Sequence, residues 1–388
     1  MKKILTLNNI SAQGLDRLPR DSYEVSSECS APEAILLRSF KMHDMEIPQS
    51  LIAVGRAGAG VNNIPLDKMS EKGIAVFNAP GANANAVKEL VIAGMLLACR
   101  NLCQAWEYTK GLEGTDAEIG KSVEAGKKKY VGYELPGRTL GVIGLGAIGV
   151  KVANAARSLG MNVIGYDPKI SVKSAWNLSA DVQPTSSVDD MMSYVDFVSL
   201  HVPLVDATRH IVNAERLAKM KKGGVILNFA RDGIVDDQAV LDVLESGHLH
   251  AYVTDFPSNL LKGKQGVIGL PHLGASTQEA EQNCAVMVAE QIRDYLEHGN
   301  IVNSVNFPEV NLPRATDYRL AVVNANRPDM VGQISRVLGQ NDINIQHMVN
   351  ESRNELAYTL MDVDKSVDDD IIQQIKQIDG VLASRVVG

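Results

Sequence analysis

The chain has 388 residues, 45% of them apolar and 22% charged, and a net charge of −8. That length asks for two or three domains, and the acidic balance excludes a general nucleic-acid binder, which needs surplus Lys and Arg against phosphate. No segment reaches the ~18 consecutive apolar residues of a membrane helix, and the first apolar run is too short for a signal peptide, so a cytoplasmic protein with no membrane partner is expected.

Short apolar runs at 4–7, 34–37, 51–54 and 74–77 read as strands, with 11–18 as a short helix between them. This is a small α/β unit. Residues 84–101 are apolar on nearly every side, which predicts a buried helix or one sandwiched between domains. Residues 103–137 are polar, carry Lys127, Lys128 and Lys129, and read as a solvated crossing. Cys99 and Cys103 fall four apart in this helical stretch and should share a face. No His or acidic cluster accompanies them, so core packing is expected rather than a metal site.

From residue 139 the pattern turns to strand, helix, strand, helix. Strands are predicted at 140–143, 162–166, 197–201, 225–229, 251–254 and 267–270, with helices at 147–159 and 236–245 among them. Near-continuous apolar strands with interposed helices mean a parallel sheet covered on both faces. A long helix is predicted at 276–297, with Ser276 or Thr277 as its N-cap. A proline-marked break at 306–313 follows. Beyond it, 318–324, 330–340, 344–350, 356–362, 368–378 and 382–387 alternate in the order of a ferredoxin-like βαββαβ unit. The predicted domains are 1–93 with 276–305, then 94–275, then 316–388.

Gly144-Leu145-Gly146-Ala147-Ile148-Gly149 fits G-x-G-x-x-G. A strand precedes it and a helix follows, the context that makes the motif informative. Gly144 allows the tight turn, Gly146 the approach of a pyrophosphate, and Gly149 close packing of helix on sheet. The N-terminus of the helix then offers free N–H groups to phosphate. Asp167 ends the next strand, where a carboxylate accepts from ribose hydroxyls and repels a 2′-phosphate. The cofactor read from this pattern is NAD.

Hydride transfer at an alcohol carbon also needs a cation for the substrate and an acid/base for the proton. Arg231 and His272 follow predicted strands directly, at the carboxyl ends where such sheets bind ligands. His201 is a rival for the acid/base, but its His201-Val202-Pro203 flank reads as a loop lying against the cofactor.

These motifs together resemble the D-isomer-specific 2-hydroxyacid dehydrogenases over residues 1–305, and within that family the branch that oxidises phosphoglycerate. The stretches that carry the resemblance are 54–64, 144–149 with Asp167, 228–231 with Asp236, and 271–277. The resemblance implies a Rossmann doubly wound parallel sheet, a smaller flavodoxin-like substrate domain, and oxidation of 3-phosphoglycerate with NAD at the start of L-serine synthesis. It implies that Arg231 orients the substrate and His272 relays the proton. Ala230, Asp255 and Gly274 would adjoin the cofactor. Arg56, Ala57, Gly58 and Asn83 would adjoin the substrate, with Arg38 a weaker candidate. The family's Glu, five residues after the strand-end Asp, is replaced here by Leu260.

The C-terminal unit resembles an ACT domain, which implies an L-serine effector at Asn324, Asn326 and Asn344 and a homo-oligomer. Two rivals stand beside this reading: a glyoxylate or hydroxypyruvate reductase of the same family, and a non-enzymatic NAD-sensing protein.

Overall fold

A computed structural model describes residues 1–388, which divide into two compact units, Met1–Asn83 with Gln278–Gly388, and Ala84–Thr277. None of its helices is long and apolar enough to cross a membrane, and no group of His, Cys, Asp and Glu is placed to hold a metal ion.

The first unit opens with β1 (Lys2–Leu7), β2 (Tyr23–Ser26), β3 (Ala34–Leu37), β4 (Ala53–Arg56) and β5 (Ala75–Phe77). They form one parallel sheet in the order β2-β1-β3-β4-β5. β3 is buried at every position, as a strand covered on both faces must be. The helix Gln278–His298 lies against this sheet at close range. A Cβ on Gly55 of β4 would meet Val288 at 2.7 Å, and one on Gly14, in the short helix Ala12–Leu15 beside the sheet, would meet the Ala285 backbone at 2.6 Å. β4 starts two residues later than predicted and so includes Arg56.

The second unit contains β6 (Thr139–Ile143), β7 (Asn162–Tyr166), β8 (Gln183–Pro184), β9 (Phe197–Leu200), β10 (Gly224–Asn228), β11 (Leu249–Thr254) and β12 (Val267–Gly269). All seven run parallel, in the order β12-β11-β10-β9-β6-β7-β8. The order reverses between β6 and β9. This is the doubly wound arrangement, with its ligand crevice at that switch point. The helix Ala147–Ser158 buries Gly149, Val150, Val152, Ala153 and Ala156, small residues that let it sit close to β6.

Two predictions here are corrected. The helix from Ala84 ends at Cys99, because Asn101 turns left-handed at φ 51°. Cys103 therefore belongs to a second helix, Leu102–Lys110, and only Cys99 of the pair is fully buried. The polar stretch 103–137 is not a plain loop either. It carries the helix Asp116–Gly126, begun by a reciprocal Thr115–Glu118 capping box, and a short 3-10 turn at Lys127–Tyr130 whose lysines are exposed.

The C-terminal strands are β13 (Tyr318–Ala325), β14 (Ile345–Arg353), β15 (Leu356–Val363) and β16 (Val381–Val387), antiparallel in the order β14-β15-β13-β16. With helices Met330–Gln340 and Asp369–Lys376 between them, this is the ferredoxin-like βαββαβ order. The two helices cover one face, over Leu320, Val322, Met361 and Val363. The other face, with Ala321, Val323, Tyr358 and Leu360, joins the core that includes Phe77, Ile292 and Tyr295. Arg319 and Asp362 are fully buried cross-strand partners, 2.6 Å apart from Nε to Oδ1. Arg319 also donates to the His298 carbonyl, and Tyr358 Oη to that of Gly299. The sheet is thus fastened to the end of the helix Gln278–His298.

Candidate active site

The glycine turn joins β6 to the helix Ala147–Ser158. Gly144 has φ 92°, and a Cβ there would meet His201 O at 2.5 Å and Val202 at 2.9 Å. The loop after β9, with His201, Val202 and Pro203, therefore lies against the turn at the switch point. A Cβ on Gly149 would collide with Gly144 O, whereas one on Gly146 would meet nothing within 4 Å. Gly146 is also the helix N-cap, and no side chain caps it. The N-terminal turn at Ala147 and Ile148 so presents uncapped backbone to an open space, as a bound pyrophosphate requires. Asp167 closes the turn from the side: its Oδ2 accepts from Leu145 N at 2.8 Å and its Oδ1 from Lys169 N at 2.9 Å. These residues fit a dinucleotide.

His201 Nε2 lies 2.8 Å from Ser199 Oγ, and burial pushes its pKa down to about 3. The ring is neutral and packed, which suits a wall of the crevice rather than a proton carrier.

The turn after β10 presents Arg231. Asn228 Oδ1 accepts from Ala230 N at 3.2 Å, and Asn228 Nδ2 donates to Arg231 O at 2.9 Å. Arg231 itself is exposed, and its Nη1 donates to Ala230 O. The next strand, β11, is followed directly by Asp255, which is 1% exposed. Asp255 Oδ2 accepts from Gly274 N at 3.1 Å, while Oδ1 is buried without a partner. Burial pushes this carboxyl above its ordinary range, against the pull of the Gly274 N–H and of His272 and Arg231. An unpartnered buried acceptor at a strand end is the kind of atom a ligand amide satisfies.

His272 follows β12, is exposed, and has φ 43°. Its N–H donates to Asp255 O at 3.0 Å, and its ring packs on Phe256. Leu260 is 39% exposed. The strand-end loops thus bring Arg231, Asp255, His272 and Gly274 to one edge of the sheet. A larger open groove of about 810 Å³, lined by Lys222, Leu244, His250 and Lys264, includes none of these groups.

In the first unit, Arg56 ends β4 and its Nε donates to Arg38 O at 3.1 Å. The guanidinium covers Gly58, where a Cβ would collide with it. Ala57 N donates to Leu37 O at 2.7 Å. A small cavity of about 140 Å³ is lined by Asn9, Ser11, Arg38, Ala57, Glu281 and Ala285, and Arg38 pairs with Glu281 at 2.6 Å. Asn83 keeps its Oδ1 buried and unpartnered.

The three C-terminal asparagines are not together. Asn324 lies at the end of β13 beside Ala357, 1% exposed, with Oδ1 unpartnered. Asn326 is exposed and bonds to Asn354 O. Asn344 bonds to Asp364, at the edge where Val363 pairs with Tyr318. Six residues of β13 separate the two ends, ~20 Å at the rise of a strand.

Residues 92–280 match the family model described as D-isomer specific 2-hydroxyacid dehydrogenase, NAD binding domain. A D-3-phosphoglycerate dehydrogenase of Methanocaldococcus jannaschii is 40% identical over 285 residues, 71% of this chain and 52% of that protein, so the chain spans about half of that relative's length. One from Haemophilus influenzae is 32% identical over 355 residues, 88% of this chain and 83% of that protein. Among solved structures, an NAD+-bound 3-phosphoglycerate dehydrogenase of Entamoeba histolytica superposes with a TM-score of 0.61 at 25% identity, covering 79% of this chain and 98% of that one. The glycine turn, the doubly wound sheet and these matches agree: the chain belongs to the D-isomer specific 2-hydroxyacid dehydrogenases, NAD-dependent oxidoreductases, and residues 92–280 match that family's NAD-binding domain.

Proposed function

We propose that this chain oxidises 3-phosphoglycerate to 3-phosphohydroxypyruvate, the step that opens L-serine synthesis. The observation that carries the reading is the shared edge of Arg231, Asp255 and His272, with the buried Asp255 tied through its Oδ2 to Gly274 N and through its carbonyl to the His272 backbone. Two relatives named for this activity support the choice of substrate.

NAD supplies the hydride acceptor when bound. Gly144, Gly146, Ala147, Ile148 and Gly149 would hold its phosphates, and Asp167 its ribose. Asp255 Oδ1, buried and unpartnered, would accept from an amide of the bound group. His201, Val202, Pro203, Ala230 and Gly274 line the crevice. Arg231 then orients the substrate, because its fork matches a carboxylate in two hydrogen bonds. It also polarises the oxygen at the reacting carbon. His272 Nε2 or Nδ1 takes the hydroxyl proton as general base.

The C-terminal sheet is read as an ACT regulatory domain with L-serine as its effector. Asn324 and Asn326 form one half of the proposed set and Asn344 the other. One small ligand cannot span both within one chain, so the proposal requires the halves to meet between copies of a homo-oligomer. NADH formation with a panel of 2-hydroxy acids tests the substrate, and equilibrium binding of L-serine tests the effector.

A further inference from the structure

The reading of Arg231 as the carboxylate-orienting group leaves open what orients Arg231. Its side chain makes one hydrogen bond, to the carbonyl of its own neighbour Ala230, and no ion pair. The guanidinium therefore inherits its direction from the backbone of the 228–231 turn.

That turn is held by one side chain. Asn228 is 1% exposed and clamps both Ala230 N and Arg231 O. The two contacts fix which end of the amide is oxygen and which is nitrogen. They use one of the two Nδ2 hydrogens. The other must find an acceptor inside the protein, because a buried unsatisfied donor loses its hydration without return.

The acceptor is the hydroxyl of Tyr252, 3.3 Å away. The sheet register explains the encounter. Asn228 pairs with Thr254 across β10 and β11, and Ile226 with Tyr252. Alternation along a strand puts Tyr252, Thr254 and Asn228 on one face. Tyr252 is 2% exposed and Thr254 fully buried. The Thr254 hydroxyl is the second partner of Tyr252, and it accepts in turn from Phe256 N at 3.0 Å. A buried polar line so runs from the 254–256 turn to the Arg231 carbonyl. Burial pushes the Tyr252 phenol up to about 12, so the group acts here as a fixed dipole and not as an acid. The rest of its ring packs among Ile226, Val240 and Leu241, where phenylalanine would serve as well.

We propose that Tyr252 is a positioning residue for Arg231, acting through the Asn228 amide to set the 228–231 turn. This rests on Arg231 being the substrate-orienting group.

The test is Tyr252→Phe in the full chain, alone and combined with Arg231→Lys. For Tyr252→Phe we expect kcat/KM for 3-phosphoglycerate to fall about tenfold, the scale of one buried hydrogen bond. The loss should appear in both kcat and KM for that substrate. The KM for NAD and the affinity for NADH should stay within about twofold, which a general loosening of the sheet would not spare. In the Arg231→Lys background, Tyr252→Phe should cost less than about twofold more, because both act on one contact. Wild-type kcat/KM in Tyr252→Phe, or losses that multiply fully in the double variant, overturns the proposal. If Arg231→Lys alone is as active as wild type, the reading of Arg231 fails and the proposal with it.

Discussion

Phe256 and His272 pack ring to ring, with centroids 4.7 Å apart and planes tilted by 49°. His272 also sits at φ 43°, a left-handed backbone that costs a non-glycine residue roughly 1–2 kcal/mol. Such strain is kept where the surroundings impose it, and it concentrates at functional sites. Leu260 occupies the place where the family's pattern sets a carboxylate. The imidazole is oriented instead by an aromatic face and by its own backbone, tied to Asp255 O. On this account His272→Ala lowers turnover by about 10²–10⁴-fold, the usual worth of a general base. NADH affinity, measured by fluorescence titration, should be little changed. Undiminished turnover would remove His272 from the mechanism.

The two glycines of the turn should separate fold from coenzyme binding. Gly149→Ala drives a methyl into Gly144 O, a backbone atom that cannot step aside. The helix must lift from β6, and thermal stability should fall by about 1–3 kcal/mol, the scale of overpacking. Gly146→Ala meets open space in extended backbone at φ −75°, ψ −163°. Its melting temperature should match wild type while NADH binding weakens at least tenfold. Equal effects on both properties in both variants would contradict the assigned roles.

The strand-end positions were legible because they follow from the apolar pattern. Strands β6, β9 and β10 are apolar at nearly every residue, and β12 is a short apolar run, so their ends, and Gly144, Arg231 and the neighbourhood of His272, could be counted off. Elements that do not announce themselves by apolar pattern were missed. β2 buries only Tyr23 fully. The helix Leu102–Lys110 buries no residue fully, and Asp116–Gly126 only Gly126. The Thr115-x-x-Glu118 box was the available signal. The Asn228–Tyr252–Thr254 line depends on the register of two strands, and so does the separation of Asn324 from Asn344. Neither is visible from spacing along the chain.

The Arg319–Asp362 pair ties the C-terminal sheet to the helix Gln278–His298, and it should dominate acid stability there. Burial alone would raise the Asp362 pKa, but hydrogen bonds from Arg319 and Ala315 N outweigh it and hold the carboxyl below its ordinary value. A depressed carboxyl stabilises the fold above its unfolded value, ~3.9, and that stability is lost as pH falls through the folded value. Asp362→Asn leaves Arg319 charged and buried, so at neutral pH it should cost about 3–5 kcal/mol. The acid-induced loss should shrink in the variant. Thermal melts at neutral and acid pH read both effects, and an unchanged neutral melt would contradict them.

The substrate can be read from one assay. Purified full chain is mixed with NAD and, in separate reactions, 3-phosphoglycerate, D-glycerate, D-lactate and glycolate, and NADH absorbance is followed. The reverse reaction is run with NADH and 3-phosphohydroxypyruvate, hydroxypyruvate or glyoxylate. Turnover is expected with the phosphorylated pair, and a kcat/KM at least 10²-fold lower without the phosphate, since an anion-binding group would be left unused. Preference for glyoxylate or hydroxypyruvate, or NADH binding with no turnover of 3-phosphoglycerate, would contradict it.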